Sequence, residues 1–270
     1  MATGGEIASL LLVGAGKMGG ALLQAWLDRG FNAACIRVLE PQLAPPIAAL
    51  CTARGVALGL PATPPSVLVL AVKPQVLDEV AASLAPLTRQ DTLIISILAG
   101  KTIRDLAQRL PGAIVRAMPN LAAAIGSGIT AAVASASVTA AQKQTADALL
   151  AAVGRVEWLS DEGLIDAVTA ISGSGPAYVF YFAECLATAG VAAGLPRDLA
   201  ARLARATIEG AGALLARQPE VSPAELRASV TSPGGTTAAA LAILSGEAGL
   251  EKLIADAVTA AKRRAQELSG

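Results

Sequence analysis

Three stretches of this 270-residue chain carry groups able to do chemistry, and none of them holds a histidine, because the chain has none. That excludes a Ser-His-Asp or Cys-His nucleophile pair, a His-ligated zinc and a histidine general base. Catalysis has to rest on carboxylates, lysine, hydroxyls, backbone amides or a bound cofactor. The first stretch is Gly14-Ala15-Gly16-Lys17-Met18-Gly19-Gly20, which follows the apolar run Leu10-Leu11-Leu12-Val13. It fits Gly-x-Gly-x-x-Gly between a strand and a helix. Gly14 permits the tight turn, Gly16 lets the backbone approach a pyrophosphate at the helix start, and Gly19 lets helix and strand pack closely. Gly14, Ala15, Gly16, Lys17, Met18 and Gly19 are therefore expected to bind a dinucleotide. About 20 residues further on, Glu40 closes the second strand pattern, where a carboxylate accepts hydrogen bonds from the adenosine ribose and repels a 2′-phosphate. Pro41-Gln42-Leu43-Ala44-Pro45 offers that phosphate no cation. Arg37 should alternate to another face of its strand. The reading favours NADH over NADPH.

The second stretch is a set of strand ends. Val72-Lys73-Pro74, Ser96 to Gly100 with Ala99, and Met118-Pro119-Asn120 all end strand patterns, at the edge where open α/β sheets hold ligands. Asn120 offers both a donor and an acceptor for a carboxamide or ribose. The third stretch is Thr231-Ser232-Pro233-Gly234-Gly235-Thr236-Thr237. Amides of Gly235, Thr236 and Thr237 at a helix start make an anion pocket without arginine, and Ser232, Thr236 and Thr237 add hydroxyls. Simple N-capping by Ser or Thr is the competing reading. A similar Ile171-Ser172-Gly173-Ser174-Gly175-Pro176-Ala177-Tyr178 segment reads as a turn with Pro at a helix start.

Alternating elements must position these groups. Strand patterns fall at 8–13, 36–39, 67–72, 93–97, 113–118, 128–133 and 155–159. Helical patterns fall at 18–29, 46–54, 75–84, 103–110 and 139–153. This alternation predicts α/β architecture: a Rossmann-type doubly wound, mostly parallel sheet over residues 1–160, with antiparallel strands admitted late. Residues 161–270 show helices alone, at 164–171, 176–195, 197–217, 223–230, 236–244 and 247–267. The segment 176–195 carries one charge, Glu184, and is apolar around most of its circumference. Such a helix must be covered on all sides, and a domain this small covers its own members poorly. An obligate homodimer through the helical domain is expected.

Composition narrows the classes further. Hydrophobic residues make up 54% but aromatics only 3%, so packing must rely on small side chains. The 21 basic and 21 acidic residues cancel, leaving no footprint for nucleic acid. A mean hydropathy of +0.57 suggests a membrane, yet the charge-free stretch between Arg116 and Lys143 holds Pro119, Asn120, Gly126 and Gly128. The stretch 56–72 holds Pro61, Pro64 and Pro65. Neither makes a clean span. The Met-Ala-Thr-Gly-Gly-Glu start lacks the basic region of a signal peptide. Cys35, Cys51 and Cys185 form no Cys-x-x-Cys pair, and no metal site is expected. The cytoplasm is the expected compartment.

Taken together, Gly14 to Gly19 with Lys17-Met18, Val72-Lys73-Pro74, Arg116-Ala117-Met118-Pro119-Asn120, the Ser172 to Tyr178 motif and Ser232-Pro233-Gly234-Gly235-Thr236-Thr237 closely resemble the pyrroline-5-carboxylate reductase family, in order and along the whole chain. The resemblance implies a Rossmann domain followed by a helical dimerisation domain, the last step of proline biosynthesis, and dimers that often assemble into decamers. It places the substrate carboxylate on Ser232, Gly234, Gly235, Thr236 and Thr237. It also implies that the Thr237 hydroxyl bonds the ring nitrogen as the catalytic contact. Leu121-Ala122 stand where many members have Thr-Pro, and Leu98 where a small residue is usual. A β-hydroxyacid dehydrogenase shares the glycine loop but calls for a lysine on the first long helix of the second domain, and 176–195 has none. A non-catalytic dinucleotide-binding protein would leave the second loop unexplained.

Overall fold

The computed structural model describes residues 7–269; the Met-Ala-Thr-Gly-Gly-Glu start lies outside them. The chain divides into two compact units, Met1–Gly173 with Lys262–Gly270, and Ser174–Ala261.

The first unit is built on eight strands: β1 (Leu10–Val13), β2 (Ile36–Leu39), β3 (Ala57–Leu58), β4 (Val67–Leu70), β5 (Leu93–Ser96), β6 (Ala113–Met118), β7 (Gly128–Ala134) and β8 (Gly154–Trp158). They lie in the order β3-β2-β1-β4-β5-β6-β7-β8. All neighbours pair in parallel except β6 with β7, where the sheet reverses. β1, β4 and β5 read Leu-Leu-Leu-Val, Val-Leu-Val-Leu and Leu-Ile-Ile-Ser, and every residue in them is buried, as strands covered on both faces require. Leu12, Val38, Val69 and Ile95 pack with α1 (Lys17–Asp28), α2 (Pro45–Arg54) and α5 (Ala140–Ala151). Leu11, Leu68, Leu70 and Ile94 pack against α3 (Leu77–Leu84) and α4 (Ile103–Ala107). Capping boxes start α4, through Thr102 and Asp105, and α5, through Thr139 and Gln142. The doubly wound expectation is met. Trp26 Nε1 donates to the Leu149 carbonyl at 2.8 Å inside the core, pinning α1 to α5 and fixing the helix that the glycine loop enters.

Two local details differ from the sequence reading. β3 is an edge strand of two residues, too short to show any period, and Arg37 Nη1 bonds its Leu58 carbonyl at 2.7 Å. The expected helix at 164–171 is a 3₁₀ turn (Glu162–Leu164), a single-turn α6 (Ile165–Val168) and a π-helix (Thr169–Gly173). Thr169 and Ser172 hydroxyls donate to the carbonyls of Ile165 and Val168, competing with the regular ladder. The expected glycine-serine turn is thus a widened helical turn, a feature frequent at functional sites.

The second unit contains α7 (Gly175–Ala192), α8 (Arg197–Arg217), α9 (Pro223–Ser229) and α10 (Thr236–Leu244), and α11 (Leu250–Ser269) begins in it. Gly194, at φ +98°, ends α7. A Cβ on Gly190 would come within 3.2 Å of Ala200 Cβ, so α7 and α8 meet on small residues. No residue of α7 is buried, and Phe180 and Tyr181 are 57% and 67% exposed. Among the described residues, no helix is long and apolar enough to cross a membrane.

Thr130, in β7, is 1% exposed, and its Oγ1 has no hydrogen-bond partner among the described residues. Leaving a hydroxyl dry costs on the order of 1 kcal/mol or more. Thr130→Val should therefore raise the thermal midpoint by roughly 2–4 °C. A lower midpoint in a melting experiment would show that the hydroxyl has a partner.

Candidate functional site

At the carboxyl end of β1 the chain turns through Gly14, whose φ is +91° and whose N–H donates to the Leu39 carbonyl at 2.9 Å. A Cβ there would lie 2.6 Å from the Ala71 carbonyl oxygen, at the end of β4. Gly19 is tighter still: its Cβ would come 2.0 Å from the Gly14 carbonyl oxygen. Gly16 is different, since nothing lies within 4 Å of the Cβ it lacks. Two glycines are thus demanded by the protein's own packing, while the third leaves open space above the backbone. Gly16 is the N-cap of α1 and no side chain caps that helix start. Uncapped amides, a helix dipole and room for a ligand are what a pyrophosphate needs, so these residues fit a dinucleotide. Ala15 is buried, Met18 half-buried and Lys17 exposed.

Glu40 is expected to meet the ribose, and the structure shows a second occupation. Its Oε2 accepts from the Ala15 N–H at 3.0 Å, and its Oε1 from the Gln42 N–H at 3.1 Å. The carboxylate braces the glycine loop directly. Val72 is half-buried and Lys73 exposed beyond β4, and Pro74 opens a 3₁₀ turn. Ala99 is exposed beyond β5, whereas Leu98 is buried with Leu77, Leu84 and Leu106 between the sheet and α3/α4. The bulk of Leu98 therefore fills the core. Asn120 Oδ1 accepts from the Ile129 N–H at 3.2 Å, so its amide N–H groups are what it can offer a ligand. Leu121 is exposed at the start of a 3₁₀ turn (Leu121–Ile125).

Sequence reading assigned no role to an ion pair beside these loops. Arg116, in β6, has a side chain only 5% exposed and bonds Glu162 Oε1 at 2.7 Å. The same oxygen accepts the Ile103 N–H at 2.8 Å. The available signal was a lone arginine inside an otherwise apolar strand; its partner lies 46 residues away. Nearby, burial would raise the Asp105 carboxyl, but the Thr102 N–H and hydroxyl, with Lys101 and Arg109, hold it below the ordinary carboxylate range.

In the second unit, Gly234 takes φ +70° and the Gly235 N–H donates to the Ser232 carbonyl at 3.0 Å. A Cβ on Gly235 would meet Ser232 Oγ at 2.5 Å, so the hydroxyl sits directly against the glycine. Gly235 is the N-cap of α10 and no side chain caps that start. Plain N-capping does not describe the loop: the Thr231 hydroxyl turns back to the Arg227 carbonyl. Thr236 is exposed and Thr237 half-buried on the first turn.

Comparison with known proteins agrees with this layout. Residues 162–268 match the family described as pyrroline-5-carboxylate reductase dimerisation, and 9–100 the family described as NADP oxidoreductase, coenzyme F420-dependent. The chain is 42% identical to pyrroline-5-carboxylate reductase from Pseudomonas aeruginosa over 96% of both chains. The chain belongs to the pyrroline-5-carboxylate reductase family. A solved pyrroline-5-carboxylate reductase from Coxiella burnetii superposes with a TM-score of 0.90 at 34% identity, covering 98% of this chain and 99% of that one. The Plasmodium falciparum pyrroline carboxylate reductase, solved with NADP bound, gives 0.81 at 27% identity, covering 98% and 99%. In this reductase family member, the first unit is the NAD(P)-binding one.

The glycines separate by variant. Gly16→Ala should keep the wild-type melting temperature while weakening NADH and NADPH binding by roughly tenfold or more, because only the ligand needs that space. Gly19→Ala should lower the melting temperature as well, since backbone must move. Titration and melting of both variants check this; equal behaviour would remove the distinction.

Proposed function

We propose that this family member reduces the C=N bond of L-1-pyrroline-5-carboxylate to L-proline with NAD(P)H. The observation that carries the reading is the 231–237 loop, whose two glycines and displaced hydroxyls leave the start of α10 uncapped. That is a cradle for a small carboxylate, in a chain whose other unit holds a dinucleotide loop. The substrate carboxylate is received by amides of Gly235, Thr236 and Thr237 and by the Ser232 hydroxyl, with Gly234 shaping the turn. The Thr237 hydroxyl bonds the ring nitrogen and is the catalytic contact. Nicotinamide, when bound, supplies the hydride. The imine can arrive already protonated, so its carbon is electrophilic without a protein acid, and the chain's task is orientation.

Gly14, Ala15, Gly16, Lys17, Met18, Gly19, Val72, Lys73, Pro74, Ala99 and Asn120 are the proposed cofactor residues. Glu40 favours NADH, because a 2′-phosphate would meet its charge. The helical domain, taken as 161–270, pairs two copies through the apolar surface of α7, and such dimers assemble into decamers. The free Cys35, Cys51 and Cys185 support a cytoplasmic setting. α7 contains no lysine, which disfavours β-hydroxyacid dehydrogenase chemistry.

Following NADH and NADPH oxidation with pyrroline-5-carboxylate, 3-hydroxyisobutyrate or no substrate tests the reading. Turnover is expected with the pyrroline alone, and none there defeats the proposal. NADH should give the higher kcat/KM; a higher value with NADPH overturns the role of Glu40. Thr237→Ala should lower kcat/KM by roughly tenfold, about one hydrogen bond to a charged group, without abolishing activity. Complete loss would instead mark Thr237 as a direct proton donor.

A further inference from the structure

We propose that Glu162 is a positioning residue for the cofactor cleft, holding the loop after β5 and the carboxyl end of β6 at one fixed separation. The inference rests on the reading that these two strand ends hold NAD(P)H. A single oxygen does the holding. Glu162 Oε1 accepts both Arg116 Nη1 at 2.7 Å and the Ile103 N–H at 2.8 Å. Arg116 stands opposite Ser96 of β5 and Val133 of β7. It lies two residues before Met118 and the Pro119-Asn120 turn. Ile103 begins α4, three residues after Gly100. Two donors on separate segments, sharing one acceptor atom, leave little freedom between those segments.

The loop is held from other sides as well, so Glu162 completes a frame. The Leu98 N–H bonds Ser96 Oγ at 3.3 Å. The Thr102 N–H and hydroxyl both bond Asp105 Oδ2, at 2.9 and 2.7 Å. Gly100, at φ +70°, lies so close to the end of α11 that a Cβ would come 2.6 Å from the Leu268 carbonyl oxygen. Of these contacts, the one through Glu162 alone reaches across to β6.

Stability by itself is a poor reason for this pair. The Arg116 side chain is buried while that of Glu162 is 29% exposed, and such a pair gains little over apolar side chains of similar volume, because desolvating the guanidinium offsets the attraction. What apolar side chains lack is direction. The guanidinium and carboxylate set a distance and an angle, and a shared oxygen transmits both to the α4 backbone. A displacement of about 1 Å at a ligand-positioning loop can cost far more in function than in folding.

The experiment uses the full chain and titrates NADH and NADPH calorimetrically against wild type, Glu162→Gln, and the double variant Glu162→Gln with Arg116→Met, melting each protein in parallel. Glu162→Gln leaves Arg116 buried without a counter-charge, so both its melting temperature and its nucleotide affinity should fall. The double variant removes both charges, and its melting temperature should return to within a few degrees of wild type. Its dissociation constants should stay about fivefold or more weaker. Recovery of affinity together with stability would show a purely structural pair and overturn the proposal. Should neither variant fold, Glu162→Asp keeps the charge but is one methylene too short to reach both donors. Weaker nucleotide binding with faster exchange of the Ile103 amide is then expected, and wild-type affinity despite faster exchange overturns it. These readouts need no turnover. A wild-type chain that binds nucleotide but does not reduce the pyrroline defeats the functional reading and leaves that of Glu162 standing.

Discussion

The closeness of α1 to the loop that leaves β1 governs most of what surrounds it. Gly19 lies where any side chain would strike the Gly14 carbonyl, and Gly14 lies where any side chain would strike the end of β4. That contact aims the helix start over the gap between β1 and β4, where the strand order departs in both directions. The far end of α1 is held by Trp26, whose indole reaches α5. The helix is thereby fixed at both ends, one by the absence of atoms and one by a buried hydrogen bond. Both Leu22 and Leu23 between them are buried. A helix dipole can act on a ligand only if the helix does not yield, and this one has no slack at the end that matters.

The two units use the same device with different surroundings. Each offers a helix start left uncapped by side chains, one after Gly16 and one after Gly235. In the first unit the helix packs deep against a sheet covered on both faces. In the second, α10 and α7 have no buried residue. Gly190 against Ala200 brings α7 and α8 together on one side, but bulky residues of α7 such as Tyr181 have nothing over them within the second unit. Apolar residues such as Phe180 and Ile243 therefore remain open in a single chain.

Much of this was legible because the informative signals are local. The glycine loop and the continuous apolar strands each occupy a few consecutive residues, and their physics needs no partner from afar. What escaped reading was long-range or too short. β3 has two residues and no period. The π-helix carries hydroxyl-to-carbonyl bonds from Thr169 and Ser172, and a helical pattern does not distinguish it from a regular turn. Glu162 and Arg116 stand 46 residues apart, and nothing in either neighbourhood names the other. The Leu98 side chain shows the reverse case: its type looked unsuited to a cleft, and its direction, into the α3/α4 core, removes the conflict.

Glu40 couples two properties that are usually considered apart. Because its oxygens hold the amides of Ala15 and Gln42, the carboxylate proposed to meet the ribose is also part of the scaffold of the glycine loop. Exchanging it for a cationic or shorter residue, the obvious route to a different nucleotide preference, would discard an acceptor for the Ala15 amide at the same stroke. On that proposal, selectivity and loop rigidity are inherited together. Redesign of one would have to supply a new acceptor for the other, from a neighbouring side chain or an ordered water.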